Sequence, residues 1–262
     1  GSDTRLRQAV QPVEHKNNEQ QLSFAQQRLW FINQLQGSSV EYNMPGVFEV
    51  EGKFNLEAAE SAFREIIARH QVLRTRYLEL ESGAIQRIQS EFDFSITRHD
   101  LSTLAPRERQ EQLQALIRAD VTRPFDLAKD LMLRVSYLVL SCGEECGEEH
   151  GGEENSPRGI LLFNMHHIAS DGWSMAVLTR EFFALYQAFL AGESSPLTPL
   201  VLQYADYAHW QRNYLQQEVI ESQLEYWQQQ LDQAPPVHAL PLDFPRPETK
   251  AYRGGKVRGQ IS

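Results

Sequence analysis

The chain has 262 residues, and its 25 Lys and Arg against 35 Asp and Glu give a formal net charge of −10. This acidic balance argues against a nucleic-acid ligand, because non-specific affinity for a phosphate backbone comes from clustered basic residues. A hydrophobic content of 41% suffices for a buried core, and no apolar run reaches the roughly 18 residues of a membrane span. Two cysteines and a polar N-terminus lead us to expect a cytoplasmic protein without a disulfide scaffold or secretory signal.

The order of helical and strand-like patterns favours an α+β fold, a layered α/β sandwich with helices packed on a mixed β-sheet. Residues 1–20 are polar and lack periodicity, so we predict a linker or flexible arm there. The folded region is predicted over 21–233. A Pro-rich linker at 234–255 and an alternating, strand-like segment at 256–262 follow it.

The predicted helices follow from hydrophobic spacing and from the residues that begin and end them. Ser23, with Gln26 three residues later, forms a capping-box pattern for a helix that ends near Gly37. Asn55 begins a second helix with one apolar face, which ends near His70. Three further helices are predicted at about 106–120, 173–190 and 203–231.

Short apolar or alternating runs between turn residues predict the strands, at 47–50, 75–81, 84–89, 94–98, 131–140 and 159–165. The first is expected to be bounded by Pro45-Gly46 and Gly52. We expect the strands at 75–81, 84–89 and 94–98 to share one sheet. The last two strands are apolar enough to be covered on both faces.

The stretch that carries candidate chemistry is 164–174, which joins a buried strand to the start of a helix. Neighbouring side chains on a strand point to opposite faces, so we expect one of His166 and His167 to be structural and the other to face a cleft. A cleft-facing imidazole suits a general base or an amine-positioning group, because its ordinary pKa lies near neutrality. Gly172 offers a backbone N–H to a substrate carbonyl. The alternative is a buried histidine pair satisfied by main-chain carbonyls.

Two groups of residues have the chemistry of metal ligands, and we predict a metal at neither. The histidine pair with Asp171 is one, but adjacent histidines on a strand do not converge on one ion. The other group is Cys142, Cys146 and His150, which lacks a fourth ligand. It lies in the Glu- and Gly-rich segment 142–155, which we predict to be an acidic loop.

Residues 164–174 resemble the HHxxxDG signature of condensation domains from non-ribosomal peptide synthetases, a family related to chloramphenicol acetyltransferase. Other segments are similar to recurrent motifs of the same family and follow in the same order: 22–30, 69–77, 124–134 and 204–210. Five matching segments in register over about 190 residues argue against coincidence.

The resemblance implies two similar acetyltransferase-like lobes that meet in a V around a tunnel. This chain matches only the N-terminal lobe, and 256–262 would begin the crossover strand to the C-terminal lobe. The implied reaction is amide formation between a donor acyl or peptidyl thioester and an acceptor aminoacyl thioester. Both substrates are attached to phosphopantetheine arms of upstream and downstream carrier domains. The resemblance implies no cofactor bound by the chain itself. The isolated lobe is expected to be inactive, because half a tunnel neither excludes water nor holds two substrates.

The resemblance also assigns roles within the signature. His167 would be the catalytic histidine that faces the tunnel, either as a base or as a group that positions the amine. His166 would mainly support the end of the strand. Gly172 would place a backbone contact near the reacting carbonyl.

Asp171 would form a structural ion pair with an arginine of the second motif. Arg69 and Arg74 both qualify, and Arg69 is preferred. Trp173 and Ser174 would border the substrate channel. With the residues around the signature, they resemble the subtype that joins an L-configured donor to an L-configured acceptor.

Two functions of other kinds stay open at the level of sequence. The lobe could be a non-catalytic module that docks carrier domains and a second lobe. It could also be an acyltransferase of the same superfamily that takes acyl-coenzyme A. In any of these cases an apolar surface left where a second lobe belongs would favour self-association.

Overall fold

A computed structural model of the chain describes residues 10–37, 40–143, 156–170 and 175–214, with short pieces at 224–225, 228 and 258–261. The helices are α1 (Phe24–Gln36), α2 (Leu56–Arg69), α3 (Pro106–Thr122), α4 (Met175–Leu190) and α5 (Tyr204–Tyr214). The strands are β1 (Glu19–Gln21), β2 (Asn43–Glu51), β3 (Thr75–Leu80), β4 (Gly83–Ile88), β5 (Thr97–Asp100), β6 (Leu133–Ser141), β7 (Arg158–His166) and β8 (Arg258–Ile261).

Two sheets organise these strands. The larger sheet has the order β5-β6-β7-β2-β8, in which β5 and β8 run parallel to their neighbours and the central strand β7 runs antiparallel to both β6 and β2. The smaller sheet is antiparallel and has the order β1-β4-β3. The predicted α+β class, with helices on a mixed sheet, is therefore confirmed.

Strand β7 is the centre of the larger sheet and is covered on both faces, as its apolar run predicted. Leu161 and Phe163 belong to the main core, which α2 and α4 share. Ile160 and Leu162 point to the opposite face and pack against partly buried residues of α3. The alternation of a strand thus produces a layer of sheet between two layers of helix.

Strand β2 is longer than predicted, because Pro45 and Gly46 lie inside it rather than before it. It pairs with β7 over its whole length, whereas its other neighbour, β8, reaches only Val47–Val50. The ring of Phe163 lies directly over Gly46, where an added Cβ would stand 2.3 Å from the ring carbon Cζ. Glycine here makes room for a cross-strand aromatic side chain rather than ending the strand.

The prediction that 75–81, 84–89 and 94–98 share one sheet is wrong for the third segment. The strand there, β5, begins at Thr97 and pairs with β6 in the larger sheet. Before it, Arg64 donates to the carbonyl of Phe94 at 2.8 Å, and Glu60 accepts from the N–H of Ile96 at 3.0 Å. Side chains of α2 therefore satisfy this backbone in place of a strand partner.

The N-terminal region differs from the prediction, and most of the C-terminal region lies outside the described residues. Residues 19–20, predicted within a flexible arm, are part of β1 and pair with β4. Helix α5 begins as predicted, but most of the predicted helix beyond residue 214 and the predicted linker at 234–255 lie outside the described part of the chain. Within that described part, no helix combines the length and apolar character of a membrane span.

Candidate active site

The end of β7 carries the histidine pair to the rim of the sheet. The backbone N–H of His166 donates to the carbonyl of Met132 at 3.1 Å, and that of His167 donates to the carbonyl of Tyr42 at 2.8 Å. The chain then enters a 3₁₀ turn at His167–Ala169. Bonds to neighbours on both sides therefore fix the backbone up to the point where the turn begins.

The side chain of His166 is buried and acts as the cap of this turn. It is 1% exposed, and its Nδ1 accepts a hydrogen bond from the N–H of Ile168 at 3.0 Å. Only an unprotonated Nδ1 has a lone pair to accept that bond. Burial, and then the nearby charges of His167 and Arg134, lower the pKa of His166 to about 4. A neutral His166 is thus part of the structure that shapes the turn.

His167 is exposed, unlike His166, because the chain leaves β7 for the 3₁₀ turn at this residue. The hydroxyl of Ser170 lies 2.7 Å from the carbonyl oxygen of His167 and 3.1 Å from its Nδ1. A hydroxyl has one proton, which Ser170 gives to the carbonyl, so its oxygen accepts from Nδ1–H. In the neutral ring this arrangement places the lone pair on Nε2 of His167, and the ring is open to solvent.

The other predicted members of the signature are Asp171, Gly172, Trp173 and Ser174, and they lie outside the described residues. Their assigned roles therefore stay predictions. The structure does show the segments on either side of them: the 3₁₀ turn precedes these residues, and α4 begins after them at Met175.

Both arginines considered for the ion pair have other partners among the described residues. Arg69 Nε donates to Glu181 at 3.2 Å, and its guanidinium also bonds to the carbonyl of Thr198. Arg74 donates to the carbonyls of Ala68 and Gln89. Because Asp171 lies outside the described residues, its pairing with either arginine also stays a prediction.

Sequence reasoning missed a buried cluster that joins α2 to α4. Besides Arg69, Glu181 contacts His70, whose Nε2 lies 2.6 Å from its carboxylate. Glu181 is 5% exposed and His70 is 7% exposed. Burial alone would raise the pKa of Glu181, but the hydrogen bonds and charges of His70 and Arg69 hold the pKa of this carboxyl below its usual range.

A signal for this cluster was present in the sequence. Glu181 occupies the same stripe of α4 as Leu178, Phe182 and Leu185, all of which are buried. A carboxylate inside an apolar stripe needs a cationic partner, because an unpaired buried charge is strongly unfavourable. The basic end of α2, which packs against α4, supplies it.

A pocket of about 370 Å³ opens near the C-terminal end of α3, and neither histidine is among its lining residues. It is lined instead by charged and aromatic groups that include Arg74, Phe92 and Arg134. Within the described ranges, no group of three or more His, Cys, Asp or Glu side chains is placed to hold a metal ion. Of the cysteine-containing set weighed above, only Cys142 is described, and its Sγ lies 3.3 Å from Ser102 Oγ.

Comparison with known proteins decides the family. The family model described as "Condensation domain" matches residues 16–262. The chain belongs to the condensation-domain family. The resemblance drawn from the five segments of sequence is thereby confirmed.

Curated relatives of this condensation domain are very long synthetases, of which it matches a small part. It is 39% identical to malpinin synthetase of Mortierella alpina and 37% identical to bacitracin synthase 3 of Bacillus licheniformis, each over 95% of this chain. It is 38% identical to a chondramide synthase of Chondromyces crocatus over 89% of this chain. The matched segment is 3%, 4% and 6% of those three proteins.

Solved structures share the fold of this condensation domain. The starter condensation domain of rhizomide synthetase superposes with a TM-score of 0.64 at 22% identity, over 84% of this chain and 51% of that one. The X-domain in its complex with OxyB from teicoplanin biosynthesis gives 0.68 at 26% identity, over 92% of this chain and 49% of that one. The predicted acetyltransferase-like fold is confirmed, and the chain spans about half of each solved relative.

Proposed function

We propose that this condensation domain forms peptide bonds between a donor acyl or peptidyl thioester and an acceptor aminoacyl thioester, both held on phosphopantetheine arms of carrier domains. The observation that carries the proposal is the exposed imidazole of His167 at the end of a buried strand. Its Nδ1 is engaged by Ser170 at 3.1 Å, so the lone pair on Nε2 is available to an incoming amine. Family membership and the signature around this residue support the same interpretation.

The proposed reaction exchanges one bond for another at the donor carbonyl. The amine nitrogen of the acceptor attacks that carbonyl carbon, a C–N bond forms and the C–S bond to the donor arm breaks. The sulfur leaves as a thiolate and ends as a thiol with the proton that the amine loses. His167 Nε2 accepts that proton, or accepts a hydrogen bond that aims the amine lone pair at the carbon.

The remaining residues of the signature have supporting roles in the proposal. Gly172 donates its N–H near the carbonyl oxygen, where negative charge develops during attack. Asp171 pairs with an arginine of the second motif, and Trp173 and Ser174 border the channel. The residues around the signature favour an L-configured donor and an L-configured acceptor.

A docking role is the second candidate, and one observation favours it for the isolated chain. The chain spans 51% of the solved starter condensation domain, which supports the expectation that a second lobe is needed to complete the tunnel. We propose that the isolated chain presents a carrier-binding surface without turnover. Catalysis would then require the two-lobed parent domain.

A reconstituted assay separates these functions. The two-lobed parent domain is mixed with a donor carrier and an acceptor carrier, each charged with its thioester, and the acceptor carrier is examined by mass spectrometry. The proposal predicts a dipeptidyl or acyl-aminoacyl thioester on the acceptor arm. Carrier binding without product by the isolated chain, beside product from the parent domain, supports the docking role for the isolated chain. Absence of product from the parent domain, or product formed only from free acyl-coenzyme A, contradicts peptide-bond formation by this domain.

A further inference from the structure

The C-terminal end of α3 is capped by an arginine side chain from the larger sheet. Arg134 on β6 donates to the carbonyls of Asp120 at 2.9 Å and Pro124 at 3.2 Å, and also to that of Arg123. The last carbonyls of a helix lack partners within the helix, and its C-terminal end carries partial negative charge. A guanidinium placed there satisfies both needs at once.

Two amide side chains from the neighbouring strands complete this end of α3. Asn164 on β7 donates to the carbonyl of Asp120 at 3.1 Å. Asn43 on β2 donates to the carbonyl of Arg123 at 2.8 Å. Three adjacent strands, including the strand that carries the histidine pair, therefore hold one helix end.

Arg134 is also linked to His166 through an aromatic ring. Its guanidinium carbon lies over the ring of Phe125, 4.1 Å from the centroid. The same ring meets the His166 imidazole in a T-shaped contact, with centroids 5.7 Å apart and planes at 82°. Phe125 is 1% exposed and borders the pocket at the end of α3, so its ring is held on one side by the guanidinium and on another by the imidazole.

His166 in turn caps the turn that exposes His167, through the bond from the N–H of Ile168 to Nδ1. A proton on Nδ1 would remove that bond. Burial disfavours such a proton most, and the positive charges of His167 and Arg134 add to this effect. The chain of contacts thus runs from α3 through Phe125 and His166 to the exposed imidazole.

We propose that Arg134 is a positioning residue for the condensation reaction. It caps the C-terminal end of α3, holds Phe125 against His166 and so fixes the turn that exposes His167. This inference rests on the proposed function for its effect on activity, but its structural half stands on the contacts alone. Lysine does not replace arginine here, because a single ammonium group neither bonds to several carbonyls in a plane nor stacks on a ring as a guanidinium does.

The first experiment follows His166 in the present chain by NMR, with histidine labelled at the Cε1 carbon and the His166 signal assigned from His166→Asn. Arg134→Met removes the charge, the carbonyl bonds and the contact of Arg134 Nε with the Asp120 carboxylate at 3.6 Å, and we expect the pKa of His166 to rise above its value near 4. Arg134→Lys keeps the charge, so its His166 pKa stays close to that of the wild type. This readout does not depend on any catalytic activity.

The second experiment measures kcat and KM in the two-lobed parent domain with charged carriers. Arg134→Met is expected to lower kcat by about tenfold or more with little change in KM for the acceptor carrier, because the imidazole is misplaced rather than the carrier surface. Arg134→Lys should give an intermediate loss.

Arg109→Met is the matched control. Arg109 donates to the carbonyls of Ser102 at 3.2 Å and Leu104 at 3.0 Å, near the opposite end of α3. Its loss removes a comparable set of bonds far from the histidines, so we expect kcat and the His166 pKa to be unchanged.

An unchanged His166 pKa together with an unchanged kcat in Arg134→Met overturns the inference, as does an equal loss of kcat in Arg109→Met. If Arg134→Met does not fold, Arg134→Lys decides, and wild-type kcat in that variant also overturns it. If the wild-type parent domain makes no product, the proposed function fails instead. In that case the NMR measurement alone tests the link between Arg134 and His166.

Discussion

At the end of β7 two adjacent imidazoles are held in opposite environments, because His166 is the last residue of the buried strand and His167 begins the 3₁₀ turn that leaves it. His166 is 1% exposed and accepts a bond from the N–H of Ile168, whereas His167 is open to solvent with Nδ1 engaged by Ser170. His166 therefore maintains the turn, and we propose that His167 performs the chemistry. The sequence analysis expected the two side chains to differ but did not say which would be buried, and it did not predict the turn that exposes His167.

The burial of His166 predicts a pH dependence of stability. Its pKa is about 4 in the folded chain, whereas an unfolded histidine titrates at about 6.5, so the unfolded chain binds the proton first as the pH falls. The contribution is fully present above pH ~6.5 and is lost as the pH falls to about 4, which amounts to about 3 kcal/mol.

His166→Asn removes this titration and keeps an oxygen that can accept from Ile168. Between neutral pH and about pH 4, we expect the free energy of unfolding of the wild type to fall by about 3 kcal/mol more than that of His166→Asn. Urea unfolding at a series of pH values checks this. Parallel pH profiles for the two proteins would show that His166 is not held neutral by the fold.

At the scale of elements, the cluster around Glu181 links α4 to the C-terminal end of α2. Glu181 lies 3.2 Å from Arg69 Nε and 2.6 Å from His70 Nε2, and all three side chains are largely buried. Removing Glu181 takes a carboxylate away from two largely buried basic side chains, and breaking a buried ion pair in this way is strongly destabilising. Glu181→Ala is therefore expected to lower the free energy of unfolding by about 3 to 5 kcal/mol.

Glu111→Ala is the control for this prediction. Glu111 pairs with Arg107 on the exposed face of α3, where the two side chains are 67% and 92% exposed. An exposed pair of this kind contributes less than about 1 kcal/mol, so the urea midpoint should move little. Similar losses for the two variants would mean that the buried cluster does not hold the helices together.

The same scale shows what the sequence could predict. The start of α1 was predicted because its capping box is local, and Ser23 and Gln26 form both reciprocal bonds in the structure. The placement of β5 was not, because a short strand has no local feature that names its partner, and its pairing with β6 joins residues far apart in sequence. The cluster at Glu181 was missed for the same reason, since its partners lie on another helix.

At the scale of the whole molecule, the larger sheet lies between a core shared with α2 and α4 and a smaller core against α3. This layering was predictable from β7, whose residues are apolar on both faces. The separation into two sheets was not, because the apolar pattern of 75–98 is the same whether or not its strands pair together. Family membership was predictable from ordered motifs, whereas four residues of the signature lie outside the described chain.

The proposed chemistry depends above all on His167 acting on the amine of the acceptor. The most direct measurement compares wild type and His167→Ala in the two-lobed parent domain, with charged carriers and product on the acceptor arm measured over time. We expect the rate to fall by about 100-fold or more, with the urea midpoint unchanged because the side chain is exposed. Undiminished product formation by a folded His167→Ala domain would contradict this role for the imidazole.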